Sequence, residues 1–463
     1  MIELSNIRHV HCVGIGGIGL SAIAEILLSR GYEVSGSDMK ASDTTSRLKG
    51  KGATVFLGHD KMNVGDADLL VYTSAASRDN PEITEAIDRN IPAVSRAELL
   101  GTLMEGAKNS IAVAGTHGKT TTTSMVSLIL NDAGFDPTIL VGGNLAQIEG
   151  NVRSGGNEYF VTEACEYMDS FLELRPKYAI VLNIDTDHLD YFKDLDHIVN
   201  SFMRFIDLVP KDGAIFAYDS NPLVSSLIKG IDKRVVTFGF HDDCDVYASN
   251  IKFSEEGMPG FDLHSGGLGL GRIELKIPGE HNIANALAAF SCCAHIGVAD
   301  EKIKETLEGF TGTQRRFDIQ GYTRGGVKIV DDYAHHPAEI TATIKAAKNV
   351  PHEKMWVLFQ PHTYTRTIAL HDDFAEALLQ SDRVVLAEIY AAREKNIHKI
   401  SSRSLVDKIR KLDPSKEVYY FNDFSDIAAF VLNNAGEGDL VITMGAGDIY
   451  KVGETILEID GGT

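Results

Sequence analysis

The sequence predicts an α/β chain of three domains, each built on a mostly parallel sheet, and three observations carry that prediction. Apolar strand-like runs alternate with segments of helical period along most of the chain. Two glycine-rich turns, VGIGGIGLSA at 13–22 and AVAGTHGKTTTT at 112–123, each follow an apolar strand and open a helix. The length of 463 residues exceeds one ordinary core and, at roughly 150 residues per domain, suggests three.

The elements follow in order. RHVHCVGIGG reads as a strand running into glycine, IGLSAIAEILLSRG as a helix ending at Gly31, and YEVSGSD as a second strand closing on Asp38. ATVFLG, ADLLVYTSA and IPAV are further strands, with a helix at NPEITEAIDRN, so residues 1–104 form a doubly wound unit. The polar stretch MEGAKNS marks a boundary, and a second unit over 105–313 opens with SIAVAG and continues through EYFVTEA, YAIVLNI and GAIFAY. Short strand-like segments with many turns follow between VVTFGF and HSGG, then the helix HNIANALAAFSCCAHIG. EGFTGTQRRFD reads as a linker into a third unit, 314–463, with strands at VKIVDDY, MWVLFQP, RVVLAEI, EVYYFN and DLVITMG.

Composition narrows the function classes. With 44 Lys+Arg against 65 Asp+Glu the formal net charge is -21, which argues against a general nucleic-acid or acidic-membrane binder and leaves room for a local phosphate pocket. MIELSNIRHV lacks a basic segment followed by an apolar one, so no signal peptide is expected, and no apolar run reaches the ~20 residues of a membrane span. Cys12, Cys165 and Cys244 stand alone and Cys292 adjoins Cys293, a spacing that fits neither a zinc site nor a disulfide framework. A reducing cytoplasm is the expected setting.

The first turn has Gly14, Gly16 and Gly19 at Gly-x-Gly-x-x-Gly spacing, which lets the backbone approach a pyrophosphate at a helix N-terminus. A nicotinamide or flavin cofactor, another phosphate ligand and a purely structural turn all satisfy it, and Asp38, able to accept from a ribose hydroxyl, does not separate them. The second turn spells out Gly115, Gly118, Lys119 and Thr120, the last part of a phosphate loop, although Val113 stands where the usual pattern has its first glycine. Successive N–H groups, a lysine for the β/γ oxygens and a hydroxyl for magnesium are what a nucleotide phosphate requires. Glu163 ends an apolar strand, with Glu166 after it, and Asp185, Asp187, His188 and Asp190 end another, so metal or phosphate chemistry is expected there. Asn282 and Asn285 share one face at a helix start, where one could cap and the other read a base. Arg315 and Arg316 stand in the linker, where charge has no packing purpose, while Asp331, Asp332, His335, His336, His362 and Arg366 gather at the C-terminal edge of the third sheet.

In this order, the glycine turn, GTHGKTTT, a strand ending in Glu, NIDTDHLD, GEHNIANALAA, RRFD, DDYAHHP and QPHTYTRT resemble the Mur ligases, from about residue 8 to GAGDIY at 445–450. The resemblance implies a Rossmann-like N-terminal domain for a UDP-sugar, a central P-loop ATPase-type domain and a Rossmann-like C-terminal domain that receives an amino acid. It implies ATP and Mg2+ as cofactors, UDP-N-acetylmuramate and L-alanine as substrates, amide formation through an acyl phosphate in peptidoglycan precursor synthesis, and a bacterial cytoplasmic setting. Within it, Gly14, Gly16, Gly17, Ile18, Gly19 and Asp38 face the UDP-sugar. Gly115, Thr116, His117, Gly118, Lys119, Thr120 and Thr121 hold ATP phosphates, and Thr120, Glu163 and His188 sit on the metal side. Asn282 and Asn285 contact adenine, Arg316 the phosphates and Asp332 the ribose, while His335, His336, His362 and Arg366 lie on the substrate side, the last two at the amino acid's carboxylate. Catalysis falls to Lys119, His188 and Arg316. Thr363 stands where many alanine-adding members have arginine, EACEYM replaces their EADESD, and SFMRF lacks the modified lysine of sister ligases. A murein peptide-recycling ligase on the same UDP-sugar and a non-catalytic nucleotide-gated protein are the alternative readings.

Overall fold

A computed structural model describes residues 3–73, 75–188, 191–392 and 394–461. Its strands form three sheets. In the first, five parallel strands lie in the order Thr54–Leu57, Glu33–Asp38, His9–Val13, Leu69–Tyr72, Ala93–Ser95. His9–Val13 is buried throughout, and the chain winds from it first to one side and then to the other. The glycine turn that follows this strand therefore sits at the topological switch point, where open sheets bind ligands. Helix Ile18–Ser29 buries Leu20, Ile23, Ile26 and Leu27 against the sheet.

The second sheet has ten strands, with Asn109–Ala114 fully buried between Tyr159–Ala164 and Tyr178–Val181. Its switch point is again the loop after that central strand, here the phosphate loop. Helix Lys119–Asp132, buried on nearly every side, follows the loop. The turn-rich region of this unit proves to be one edge of the same sheet: Val246–Phe253, Pro259–Ser265 and Leu268–Glu274 pair antiparallel. Register shifts between Ser249 and Lys252 and between Leu263 and His264 interrupt the alternation that would have announced long strands.

In the third sheet the last strand, Leu440–Met444, inserts between Lys328–Asp332 and Met355–Phe359, which brings the C-terminal ends of all three to one edge. The apolar packing is unequal between units. One continuous core runs from Val10, Ile23 and Leu27 through Leu100 and Leu103 to Phe171, Phe202 and Phe205, fusing the first two sheets, whereas the third sheet has separate cores on its two faces. Gly101 allows this fusion, because a Cβ there would collide with the Glu173 carbonyl.

Candidate active site

The loop at 115–118 is shaped by backbone and held by its neighbours. Gly118 has φ +84 and caps helix Lys119–Asp132, and a Cβ on it would lie 2.6 Å from Asn285 Oδ1, so both conformation and space require glycine. His117 and Asn183 are joined twice, His117 N donating to Asn183 Oδ1 at 2.8 Å and Asn183 Nδ2 to His117 O at 3.0 Å. The Thr116 hydroxyl accepts from Asp185 N at 2.9 Å. Lys119 folds over the loop, donating to Gly115 O at 2.5 Å and Thr116 O at 3.0 Å, and pairs with Glu166 at 3.0 Å. Burial opposes its charge, but Glu166 outweighs burial and raises its pKa, so Lys119 is a fixed cation.

On one side of the loop a cavity of about 260 Å³ lies between the second and third sheets, lined by His117, Gly118, Thr121, Asn282, Asn285, Arg316, Asp332 and Glu339 among others. Gly279, not an asparagine, caps helix Glu280–Ile296. Asn282 and Asn285 are instead buried and linked, Asn282 Nδ2 donating to Pro278 O at 2.7 Å and Asn285 Nδ2 to Asn282 Oδ1 at 3.0 Å. Burial pushes Asp332 up to about 6 although Arg316 lies nearby, and its oxygens accept from Phe317 N and Ala334 N. Glu339 joins the loop to the linker: its carboxylate lies 3.3 Å from His117 Nδ1, 3.2 Å from His335 Nδ1 and 3.8 Å from Arg316 Nη1. Burial alone would raise its pKa, but His335, His117 and Arg316 outweigh burial and hold it well below the usual carboxylate range.

A second cavity, about 600 Å³, lies against the third sheet's edge and is lined by Tyr167, Asp187, His188, His362, Arg366 and Glu394 among others. Arg366 comes from helix Tyr364–Ala369, whose N-cap is Thr363, and reaches across to pair with Asp187 at 3.0 Å. The His188 ring lies tilted against the Tyr167 ring at 4.6 Å between centroids, and burial lowers its pKa despite Asp187. Burial likewise pushes His362 down to about 4. His335 and His336 stand between the two cavities, 5.9 Å from the His362 ring and 5.2 Å from the His117 ring respectively. Asp190 lies outside the described residues.

A third cavity, about 340 Å³, opens between the first two sheets and is lined by Gly17, Ile18, Gly19, Arg96, Glu163 and Cys165 among others. Gly14, Gly16 and Asp38 do not line it, and Gly16 N donates to Asp38 Oδ2 at 2.9 Å. Glu163 Oε1 accepts from Gly142 N at 2.6 Å.

Three family profiles match successive parts of the chain: the Mur ligase family catalytic domain at 9–108, the Mur ligase middle domain at 113–293 and the Mur ligase glutamate ligase domain at 315–447. The chain belongs to the Mur ligase family. A Clostridium botulinum UDP-N-acetylmuramate–L-alanine ligase is 49% identical over 452 residues, covering 98% of each chain. Its namesake from Acetivibrio thermocellus is 48% identical over 459 residues, covering 99% of this chain and 97% of the relative. Among solved structures, the Thermotoga maritima UDP-N-acetylmuramate–alanine ligase superposes with a TM-score of 0.81 at 31% identity, covering 97% of this chain and 98% of that one. A Psychrobacter arcticus murein peptide ligase gives 0.73 at 26% identity, with 98% and 99% covered.

In this Mur ligase the sequence reading of Arg315 needs correction. Its guanidinium is packed between the Tyr333 and Tyr450 rings at 4.9 and 4.7 Å and bonds Asp331 Oδ2 at 2.9 Å and Gly445 O at 2.7 Å. Charge in the linker therefore does have a packing purpose. The sequence also left Glu339, Glu394 and Arg96 unassigned. Glu339 looked like an ordinary first-turn acid of helix Pro337–Ala347, and only its place four residues after His335 hinted at more. Among the described residues, the one group of three or more His, Cys, Asp or Glu with converging ligand atoms is His9, Glu33 and Asp66, at the opposite end of the first sheet's strands from the glycine turn. No helix among the described residues is long and apolar enough to cross a membrane.

Proposed function

We propose that the chain catalyses the ATP-dependent joining of L-alanine to the lactyl carboxylate of UDP-N-acetylmuramate, in peptidoglycan precursor synthesis in a bacterial cytoplasm. The observation that carries this reading is near-half identity, over almost the full length of both chains, to ligases of that name. The arrangement of the cavities supports it, since one phosphate loop stands among three recesses suited to a nucleotide, a sugar nucleotide and an amine.

A carboxylate resists an amine because oxide is a poor leaving group, and ATP supplies the phosphoryl group that makes it a good one. Lys119 and Arg316 provide fixed positive charge for the transferred group, and the N–H groups that open helix Lys119–Asp132 are further donors for the phosphates. Asn282 and Asn285 face adenine and Asp332 the ribose. Gly14, Gly16, Gly17, Ile18, Gly19 and Asp38 form the UDP-sugar side, with Arg96 at the same recess. Thr120 and Glu163 would hold Mg2+, a hydroxyl and a carboxylate being the oxygen donors a hard cation favours, with the buried His188 on the same metal side. On this reading residues 1–104, 105–313 and 314–463 serve the UDP-sugar, ATP and the amino acid in turn. His362 lines the amine cavity and His335 and His336 do not, and with His188 on the metal side that makes His362 the candidate for receiving the amine's proton. Release of ADP that requires both UDP-N-acetylmuramate and L-alanine tests the proposal, and ADP release indifferent to either substrate would refute it.

A further inference from the structure

Backbone strain gathers beside the phosphate loop, where the chain leaves Glu166. Met168 and Asp169 are both left-handed, at φ +55 and +56, the only two consecutive non-glycine residues with positive φ among the described residues. His188, which faces this turn, is also positive, at φ +53. L residues take such conformations only where their surroundings hold them, and functional sites are where this happens most. Met168 is half exposed and supplies no such hold. The Asp169 carboxylate does: it accepts from Tyr191 Oη at 3.0 Å, from Arg204 Nη1 at 3.2 Å and from the Ser201 hydroxyl. Arg204 is 64% exposed, so water screens its share and the two hydroxyls dominate. Ser201 sits in helix Leu195–Asp207, and Tyr191 N donates to His188 O at 2.9 Å. One carboxylate thus ties the turn that follows Glu166 to the turn that carries His188. Across that tie the Tyr167 and His188 rings meet at 4.6 Å, and Glu166 pairs with Lys119.

We propose that Asp169 is a positioning residue for the ligation: by clamping its strained turn to Tyr191 and Ser201 it sets Glu166 and His188 relative to Lys119. Asp169 lines none of the three cavities, so its effect must pass through the residues it holds. The inference rests on the ligase reading above, which puts Lys119 at the transferred phosphoryl group and His188 on the metal side. Aspartate suits the place twice over, because its short polar side chain tolerates a left-handed backbone and its two oxygens reach donors on both neighbouring segments. Glycine would meet the first requirement alone.

The test compares the whole enzyme with Asp169→Ala, Asp169→Gly, Asp169→Asn and Tyr191→Phe, by steady-state kinetics and by NMR of the His188 ring protons, assigned through their loss in His188→Gln. Asp169→Ala and Asp169→Gly should both lower kcat by roughly tenfold or more, while the KM for ATP moves by no more than about threefold. Asp169→Asn keeps one acceptor and should fall between them and the wild type. Tyr191→Phe removes one hydroxyl and should fold even if the alanine variant does not, with a loss in kcat of about threefold or more. In each variant the His188 ring resonances should shift as the Tyr167 ring moves away from them. Wild-type kcat in Asp169→Gly would show that the position needs only a permissive backbone, and would overturn the inference. A lowered melting temperature with kcat and the His188 resonances unchanged would overturn it too, leaving Asp169 a purely structural role. Absence of ADP release in the wild type would instead remove the ligase reading, and the His188 resonances would then decide on the clamp by themselves.

Discussion

Lys119 and Glu166 form a 3.0 Å ion pair beside the phosphate loop, with side chains 16% and 3% exposed. The lysine's remaining contacts are with neutral carbonyls of its own loop, so a phosphoryl group can draw it away only against Glu166. Lys119→Ala should lower kcat by roughly 10²-fold or more, because the transferred group loses a fixed cation. It should also destabilise the protein by about 3 kcal/mol, because Glu166 remains buried and unpaired. Lys119→Ala combined with Glu166→Gln should regain most of the stability and none of the activity, as read by thermal melting and ADP release. Recovery of turnover in that double variant would count against the phosphate-loop assignment.

The linker changes allegiance at one peptide bond. Thr313 and Gln314 bond to the central domain, through Ser124 Oγ and Asn144, whereas Arg315 is clamped to the C-terminal domain by Asp331, Gly445 and two tyrosines. Arg316 should therefore travel with the C-terminal domain. Arg315→Ala should cut kcat by roughly tenfold or more by misplacing Arg316, and Arg315→Lys should rescue little, since an ammonium lacks the planar fork that packs on both tyrosine rings while bonding Asp331 and Gly445. Steady-state kinetics on both variants check this. A lysine variant with wild-type kcat would show that Arg315 supplies charge alone.

Glu82 gives a pH dependence. Its side chain is fully buried, and burial alone would raise its pKa, yet His11, Ser37 and Asn63 hold it down to about 2. A carboxylate depressed in the folded state stabilises above its unfolded pKa and loses that contribution as pH falls toward the folded value. The window is therefore pH 4.5 down to about 2. Wild type should exceed Glu82→Gln in stability by roughly 2–3 kcal/mol at pH 7, and the gap should close across that window. Denaturant melts of both proteins at a series of pH values would reveal a gap that failed to narrow.

Local patterns made the fold and much of the site legible, and the rest depended on partners distant in sequence. A strand, a glycine turn and a helix are contiguous, so both switch-point loops could be read directly, including a phosphate loop that begins at Gly115 rather than Val113. Asn282 and Asn285, three residues apart on one helix, were legible for the same reason. Asp187 and Arg366 are 179 positions apart, and His117 and Glu339 are 222 apart, so no window of sequence contains either pair. Arg315 was misread because its two tyrosines come from the third sheet's loop and the last helix. The edge hairpins were underread because their register shifts break the two-residue period.

The spacing of Gly14, Gly16 and Gly19 by itself also suits a nicotinamide or flavin cofactor. Gly16 N donates to Asp38 Oδ2 at 2.9 Å, and a Cβ on Gly16 would lie 2.8 Å from that same oxygen and 3.1 Å from Thr45 Cγ2. Gly16→Ala must therefore push off the turn the Asp38 carboxylate, which is proposed to serve the UDP-sugar. The KM for UDP-N-acetylmuramate should rise by about tenfold or more, while the KM for ATP, bound at the other glycine loop, changes little. Calorimetry on the whole chain, with UDP, UDP-N-acetylmuramate and NADH at equal concentration, should show heat from the uridine ligands that Gly16→Ala weakens, and none from NADH. The physical reason is that the turn's backbone accepts any pyrophosphate, so selectivity must come from the recess beyond it, where Arg96, Glu163 and Ser170 belong to a shared wall of two domains. Tight NADH binding with no response to UDP would reassign this domain to a redox cofactor.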